Sequence, residues 1–595
     1  MLRKPHKLLV GLFLCVDEVM PKILKTRVVP DIPSTFATLH PVLARVYAAR
    51  GVQSPEQVQH RLKNLVTAQQ LHGMTAALDL LTTALQQQQR IVIVGDFDAD
   101  GATSTALSVL ALRAMGAKYV DYLVPNRFKF GYGLTPEIVD VALAEKNPQL
   151  IMTVDNGISS REGVERAKQA GVKVLITDHH LTGKTLPDAD AIINPNQPDC
   201  HFPSKNLAGV GVAFYLMAAL CTHLKSLDWF ANKPMPNMTD FLDLVALGTV
   251  ADVVQLDYNN RILVAQGLER IRAGQCRAGI KALLAVAKRD LASLQAEDLA
   301  FAIAPRLNAA GRLDDTSQGI ECLLTTSTQE AQIMAQALDE LNIERRHIEG
   351  DMQDQALAAL QALDWTEENL PSALVLFNPE WHQGVIGIVA GRLKEKFHRP
   401  SIVFAPVDET SDFIKGSARS IAGIHIRDAI ELVTVRHAGL VTHFGGHAMA
   451  AGMTIPRANF AAFQHAFLQV IDEVATEEHL TAAIVTDGEL AATEINLELA
   501  QLLRNSGPWG QAFLEPLFVG EFKLNDFNVL KEKHLKFKLA HPLTGEDLEA
   551  IAFNVDMKTW SNQTQRLLLA YRLDVNTFRG TSRLQLKVEY WRIVE

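Results

Sequence analysis

"RIVIVGDFDADGATSTAL", residues 90–107, joins a short β-branched run to three aspartates spaced two apart and then to a glycine. A run such as Arg90–Val94 reads as a strand buried on both faces, because nothing in it alternates with polar residues. The acidic string imitates a calcium-binding EF-hand loop, with Asp96, Asp98, Asp100 and Gly101 at positions 1, 3, 5 and 6. Position 12 is Leu107 rather than a bidentate glutamate, and a strand rather than a helix comes before it, so the EF-hand reading fails. What remains is a cluster of carboxylates at the end of a strand.

The same design recurs downstream. "LIMTVDNG" ends in Asp155 and Asn156, and "KVLITDHH" ends in Asp178, His179 and His180. Together with "YVDYLVP" and "DAIINPN", these runs alternate with helical patterns and predict an α/β fold, a doubly wound parallel sheet with helices on both faces. Ligands of such sheets gather at the carboxyl ends of the strands. If the strands are parallel, the three clusters emerge at one edge, where carboxylates that close require counter-ions. A single aspartate at a strand end is ordinarily a helix N-cap, as Asp98 or Asp100 can be, but three clusters at equivalent ends point to one cleft. Carboxylates with imidazoles and no thiolates suit Mn²⁺ or Mg²⁺. The ligand count exceeds one ion's needs and suits a two-metal clamp for in-line displacement at phosphorus.

At 595 residues the chain predicts three or four domains. Its five cysteines are scattered without a Cys-x-x-Cys pair, which argues against structural zinc and for a reducing, cytoplasmic setting. The opening "MLRKPHKLLVGLFLCV" does not complete a secretory signal, since Leu14 precedes Cys15 and Asp17 and Glu18 follow. A net charge of −10 does not advertise nucleic-acid binding, but cations bound at a carboxylate site reverse the local sign. The patterns divide the chain into a lead-in (1–85), the parallel-sheet domain (86–260), a helical connector (261–365), a second α/β domain (366–470) and a small C-terminal β-barrel (471–595). Within the connector, Thr328–Leu363 reads as one long helix.

The motifs "DFDADG", "VDNG", "TDHH" and "LGTVADVV" (Leu247–Val254), in this order, resemble those of the DHH phosphoesterase superfamily. Further stretches are similar to the RecJ family of bacterial single-strand-specific DNA exonucleases within it: "PNR" (Pro125–Arg127), "LAGVGVAF" (Leu207–Phe214), "PRLNAAGRL" (Pro305–Leu313), "WHQGVIGIVAGRL" (Trp381–Leu393), "SARS" (Ser417–Ser420) and "GGHAMAAG" (Gly445–Gly452). The likeness runs from about residue 40 to the end. It implies a DHH catalytic domain, a connecting helix, a DHH-associated domain and an OB-fold. It also implies 5′ to 3′ hydrolysis of single-stranded DNA to 5′-mononucleotides, in repair and recombination. The implied metal ligands for two Mn or Mg ions are Asp96, Asp98, Asp100, Asp155, His179 and Asp252, with His180 and Asp178 catalytic beside the scissile phosphate. Arg127, Ser417 and Arg419 resemble a pocket for the 5′-phosphate; Gly446 and His447, in a stretch that reads as a close backbone approach to a ligand or as a tight turn, and Arg306, Asn308 and Arg312 on the connector are expected as further, weaker substrate contacts. Implied partners are a DNA strand with a 5′ end and a helicase or single-strand-binding protein, with no membrane and a monomeric chain.

The chain departs from the family pattern in Gly507–Phe518, where Trp509 and Ala512-Phe513 stand for a phenylalanine and an asparagine-proline pair, and its first 25 or so residues have no counterpart. In the barrel, "KEKHLKFK" places Lys536 and Lys538 on one strand face and Leu535 and Phe537 on the other; an OB-fold binds single strands by such a basic groove with stacked aromatics, and a half-solvated strand of any protein alternates likewise. A phosphodiesterase for short oligonucleotides or cyclic dinucleotides is the alternative chemistry, and an inactive single-strand-binding scaffold the alternative class.

Overall fold

The computed structural model describes residues 22–125, 133–313, 317–361, 370–408, 411–531, 533–555, 560, 566–578 and 580–594. They fall into two compact units, each built from separated stretches of chain: residues 30–347 with 505–515, and residues 1–29, 348–504 and 516–595. A first short strand, β1 (Ile23–Thr26), belongs to the latter unit.

The unit of residues 30–347 is built on five parallel strands: β2 (Ile91–Gly95), β3 (Val120–Leu123), β4 (Leu150–Val154), β5 (Lys173–Thr177) and β6 (Ala191–Ile193), in the order β3-β2-β4-β5-β6. Both β2 and β4 are buried along their whole length, which is why their sequences run apolar without alternation. The chain leaves β2 for β3 on one side and reaches β4 on the other, so the strand order reverses at β2/β4. The crevice beyond the carboxyl ends is where such sheets bind ligands. Register aligns those ends: Gly95 pairs with Val154, and Val154 with Thr177. The helix Gly209–Ser226 has the length and hydropathy of a bilayer span, yet 72% of that window is buried inside the fold, so its apolarity serves the core.

Residues 505–515 complete this unit from far along the sequence. Phe513, 2% exposed, stacks on Trp509 with ring centroids 5.1 Å apart and on Tyr47 at 6.3 Å. The buried Arg261 guanidinium lies 4.1 Å from the Phe513 centroid, a cation–π contact in a desolvated setting. Tyr47 donates its hydroxyl to Ser506 O, Arg50 donates Nε to Leu514 O, and Leu256 N donates to Gln511 O. Trp509 and Ala512-Phe513, which depart from the family pattern, therefore lie in a strap that packs Phe513 into this unit's core.

In the other unit, β7 (Leu374–Phe377), β8 (Ser401–Pro406), β9 (Phe413–Arg419), β10 (His443–Gly446) and β11 (Ala450–Pro456) form a mixed sheet in the order β10-β11-β9-β8-β7, with only β7 and β8 parallel. The strand β12 (Ala483–Thr486) pairs in parallel with β1, and Arg27 reaches the buried Asp487 carboxylate at 3.5 Å. Residues 23–27 are thus structural rather than a dispensable extension; residues 1–21 lie outside the described residues. A closed barrel follows, of β13 (Phe518–Leu530), β14 (His534–Ala540), β15 (Asp547–Ala552), β16 (Arg566–Phe578) and β17 (Thr581–Val594), in the order β13-β14-β15-β17-β16. The expected long helix is Thr328–Gln361; Leu363 lies outside the described residues.

Because Phe513 joins a ring stack to a buried cation, Phe513→Ala should destabilise the unit of residues 30–347 by about 3–5 kcal/mol. Urea melts with limited proteolysis measure this. Wild-type stability with no new cleavage between residues 30 and 347 would refute the strap's role.

Candidate functional site

The three strand-end clusters meet. Asp96, Asp98 and Asp155 offer ligand atoms within 4.8 Å of one another; so do Asp155, His179 and His180, and so do Asp100, His179 and Asp252. His179 Nε2 stands 3.1 Å from Asp155 Oδ1 and 3.5 Å from Asp252 Oδ2. Asp96, Asp100 and Asp155 are nearly inaccessible to solvent, at 6%, 1% and 2% exposure. Two carboxylates at such separations repel by about 3 kcal/mol at an effective dielectric of 20.

That crowding is visible in proton affinities. Burial, then the charge of Asp98, pushes the Asp100 carboxyl up to about 7, against hydrogen bonds from Val210 and Gly209. Burial and the neighbouring aspartates push Asp155 and Asp252 well above the ordinary carboxylate range. Asp252 carries a further burden: it caps the carboxyl end of the helix Leu242–Ala251, the negative pole of its dipole. A carboxylate at that pole, half-buried beside other carboxylates, fits a bound cation. The all-oxygen set plus one imidazole is the donor chemistry of Mn²⁺ or Mg²⁺.

Local sequence explains how each group is held. Asp98 is the N-cap of the helix Ala99–Ala114, its Oδ1 accepting from Asp100 N at 2.9 Å and Gly101 N at 3.1 Å. Asp100 has a second task that the motif does not reveal: its two oxygens accept from Gly209 N at 2.6 Å and Val210 N at 2.9 Å, capping the helix Gly209–Ser226. Gly209 is glycine because a Cβ would stand 2.6 Å from Asp155 Oδ1, and a Cβ at Gly248 would stand 2.9 Å from Asp100 Oδ1. Asp155 sits in the left-handed region at φ 62°, which aspartate tolerates better than most residues. Val253, next to Asp252, sits there at φ 59°; for a β-branched residue this is strain, of the sort found where a site is held against local preference.

Asp178 is not aimed at the cluster's centre. Its Oδ1 takes the His180 ring Nδ1 at 2.7 Å and the His179 N–H at 2.7 Å, and its Oδ2 takes the Ile158 N–H at 2.8 Å. Although burial alone would raise it, the hydrogen bond and charge of His180 hold the Asp178 carboxyl low; reciprocally, Asp178 overrides burial and raises the His180 imidazole. Two asparagines that sequence reasoning missed clamp this dipeptide: Asn196 donates to His179 O at 2.6 Å and Asn194 to His180 O at 2.9 Å. The signal was present in "INPN", whose amides lie at a strand end beside the same edge.

Among the expected substrate contacts, Arg306 is buried, donates to Ala302 O and pairs with Asp339 at 2.7 Å; it supports the helical connector. Asn308 accepts the Ala99 N–H at 2.7 Å and so braces the aspartate loop. In the structure these two positions brace the fold, Arg306 through its two Nη atoms and Asn308 through its Oδ1. Arg312 lies half-buried in the last turn of the helix Ala304–Leu313. Arg127 lies outside the described residues.

In the other unit, Ser417 and Arg419 share one face of β9, and the Arg419 Nη1 donates to Ser417 Oγ at 3.1 Å and Ala418 O at 2.8 Å. Burial lowers the guanidinium's proton affinity, and no carboxylate pairs with it among the described residues. A desolvated cation without an acid partner suits an anion. Gly446 is a turn glycine at φ 144°, where a Cβ would collide with Ala450 O, and His447 is exposed just beyond it. In the barrel, Lys536 pairs with Glu549 at 2.9 Å, Lys538 faces Asp526 at 3.8 Å and Asp547 at 3.9 Å, and Phe537 is wholly buried. On this strand, partly exposed lysines stand beside acidic neighbours over a buried core aromatic.

Comparison with known proteins agrees with this arrangement. Family models match for the DHH family N-terminal domain at residues 90–249, the DHHA1 domain at 370–473 and the RecJ OB domain at 486–590. The single-stranded-DNA-specific exonuclease RecJ of Escherichia coli is 52% identical over 569 residues, spanning 95% of this chain and 98% of its own. That of Haemophilus influenzae is 50% identical, spanning 96% and 99%. The crystal structure of RecJ from Thermus thermophilus in complex with Mn²⁺ superposes with a TM-score of 0.77 at 30% identity, covering 94% of this chain and 77% of that one.

The raised carboxyl groups set a pH dependence. Unfolded aspartates release their protons near pH 4, whereas folded Asp100 keeps its own to about 7. The folded state thus binds more protons in that window, and metal-free protein should lose stability as pH rises through it. Saturating Mn²⁺, which competes with those protons, should reverse the slope, and Asp155→Asn should flatten it. Thermal melts from pH 4.5 to 8 in EDTA and in MnCl₂ test this; a pH-independent melting temperature in EDTA would contradict it.

Proposed function

The chain belongs to the RecJ family of single-stranded-DNA-specific exonucleases, and on that premise we propose that it removes 5′-mononucleotides successively from the 5′ end of a DNA strand, with two divalent cations held by Asp96, Asp98, Asp100, Asp155, His179 and Asp252. The observation that carries this reading is the convergence of His179 on both Asp155 and Asp252 beneath the aligned strand ends. When bound, such cations offset the charge of the phosphodiester and activate water for in-line displacement at phosphorus.

The chain's own residues do the rest. Asp98 and Asp100 tie the ligand loop to two helix N-termini, so the carboxylates are fixed before substrate arrives. His180, its Nδ1 held by Asp178, is kept in its protonated form more readily than a free imidazole. Its other ring nitrogen donates to the scissile phosphate and stabilises the charge that grows there. Asp178 touches no substrate and acts by orienting that ring. Ser417 and Arg419 take the strand's terminal 5′-phosphate, the anion that the desolvated guanidinium lacks. In this reading the enzyme acts as a monomer in the cytoplasm on a strand that a helicase or a single-strand-binding protein presents to it.

An end-labelled single strand digested with Mn²⁺, Mg²⁺ or EDTA reports metal need, polarity and product size at once. Mononucleotides released from the 5′ end with either ion and none with EDTA are expected, and Asp155→Ala should lower the rate at least 10³-fold, about 4 kcal/mol of transition-state stabilisation. Release from the 3′ end, or hydrolysis persisting in EDTA, would defeat the proposal.

A further inference from the structure

The helix Ile386–Phe397 begins with two glycines one turn apart, Gly387 and Gly391, on one helical face. Glycine within a helix is unfavourable by roughly 1 kcal/mol against alanine, so each asks for a reason. Gly391 has none from crowding, since a Cβ there would meet nothing within 4 Å. At Gly387 a Cβ would stand 2.9 Å from Arg419 Nη2 and 2.9 Å from Ser417 Oγ. The bare backbone at 387 is therefore the wall against which the guanidinium and the hydroxyl rest.

Two further features make this wall consequential. Among the described residues the guanidinium's hydrogen bonds run through Nη1, to Ser417 Oγ and Ala418 O. It also lacks an acid partner among the described residues, so its position is set by packing more than by charge. Packing on the Gly387 side is then what aims Nη2.

We propose that Gly387 is a positioning residue for phosphate recognition: by lacking a side chain it sets where Arg419 and Ser417 present their donors, and so governs the preference for a strand whose 5′ end bears a phosphate. This rests on the reading of Ser417 and Arg419 as the 5′-phosphate pocket. A methyl group at 387 displaces the ends of two movable side chains and no backbone, so the variant should fold, and the gain in helix propensity offsets local crowding. Gly391→Ala receives the same gain with no crowding and is the matched control.

The experiment compares 5′-phosphorylated with 5′-hydroxyl single strands, separating KM from kcat, for wild type, Gly387→Ala, Gly391→Ala and Arg419→Ala, each with a melting temperature. Gly387→Ala should lose most of the preference, roughly tenfold, the value of a displaced charge-assisted hydrogen bond. The loss should fall in KM for the phosphorylated strand, with kcat and melting temperature kept, while Gly391→Ala retains wild-type discrimination. If Arg419→Ala loses the preference and Gly387→Ala keeps it, the inference about Gly387 is overturned and the pocket stands. If Arg419→Ala keeps it as well, the pocket itself is wrong and the inference falls with it.

Discussion

Mutual repulsion among buried carboxylates is the constraint around which this protein is organised. Asp96, Asp100 and Asp155 are almost sealed from water, and Asp252 joins them at the negative pole of a helix. His179 brings one imidazole nitrogen to two of the carboxylates and His180 adds its charge near Asp100, yet the proton affinities of Asp155 and Asp252 stay raised, which records the crowding of like charges. Stability has been given up locally so that divalent cations find a preorganised set of oxygens. The surrounding fold, with its capped helices and close-packed glycines at 209 and 248, prevents the cluster from relaxing apart.

A complementary imbalance stands in the other unit. There the desolvated Arg419 has hydroxyl and carbonyl neighbours but no acid partner among the described residues. One unit holds negative charge awaiting cations and the other holds positive charge awaiting an anion. Taken by itself, each imbalance is of the kind that a bound ion of opposite charge relieves. The whole-chain charge of −10 conceals this pairing because it averages over the two.

Much of the first domain was legible because a parallel sheet ties sequence position to spatial position. Once β2, β4 and β5 are strands in register, the residues after Gly95, Val154 and Thr177 must lie side by side. Legibility ended where placement depends on tertiary packing. Asp252 follows a helix rather than a strand, and only the family likeness singled it out. The capping of a distant helix by Asp100, the bracing of the aspartate loop by Asn308 and the burial of Arg306 against Asp339 all depend on contacts between remote segments. Alternation correctly put Phe537 and the lysines on opposite faces of β14, but the acidic neighbours on the adjoining strands, invisible to a one-dimensional pattern, neutralise those lysines.

The strap at residues 505–515 bears on how the molecule is made. The catalytic unit's own contiguous chain ends at residue 347, yet the rings that close its core arrive only with Trp509 and Phe513. At 5–20 residues per second, a ribosome takes on the order of ten to thirty seconds to bridge that interval. Throughout it, Tyr47 and Arg261 are without the Phe513 ring that they contact in the finished fold. Birth order and assembly order are thus decoupled: the first unit to emerge is sealed only when synthesis has gone most of the way through the second.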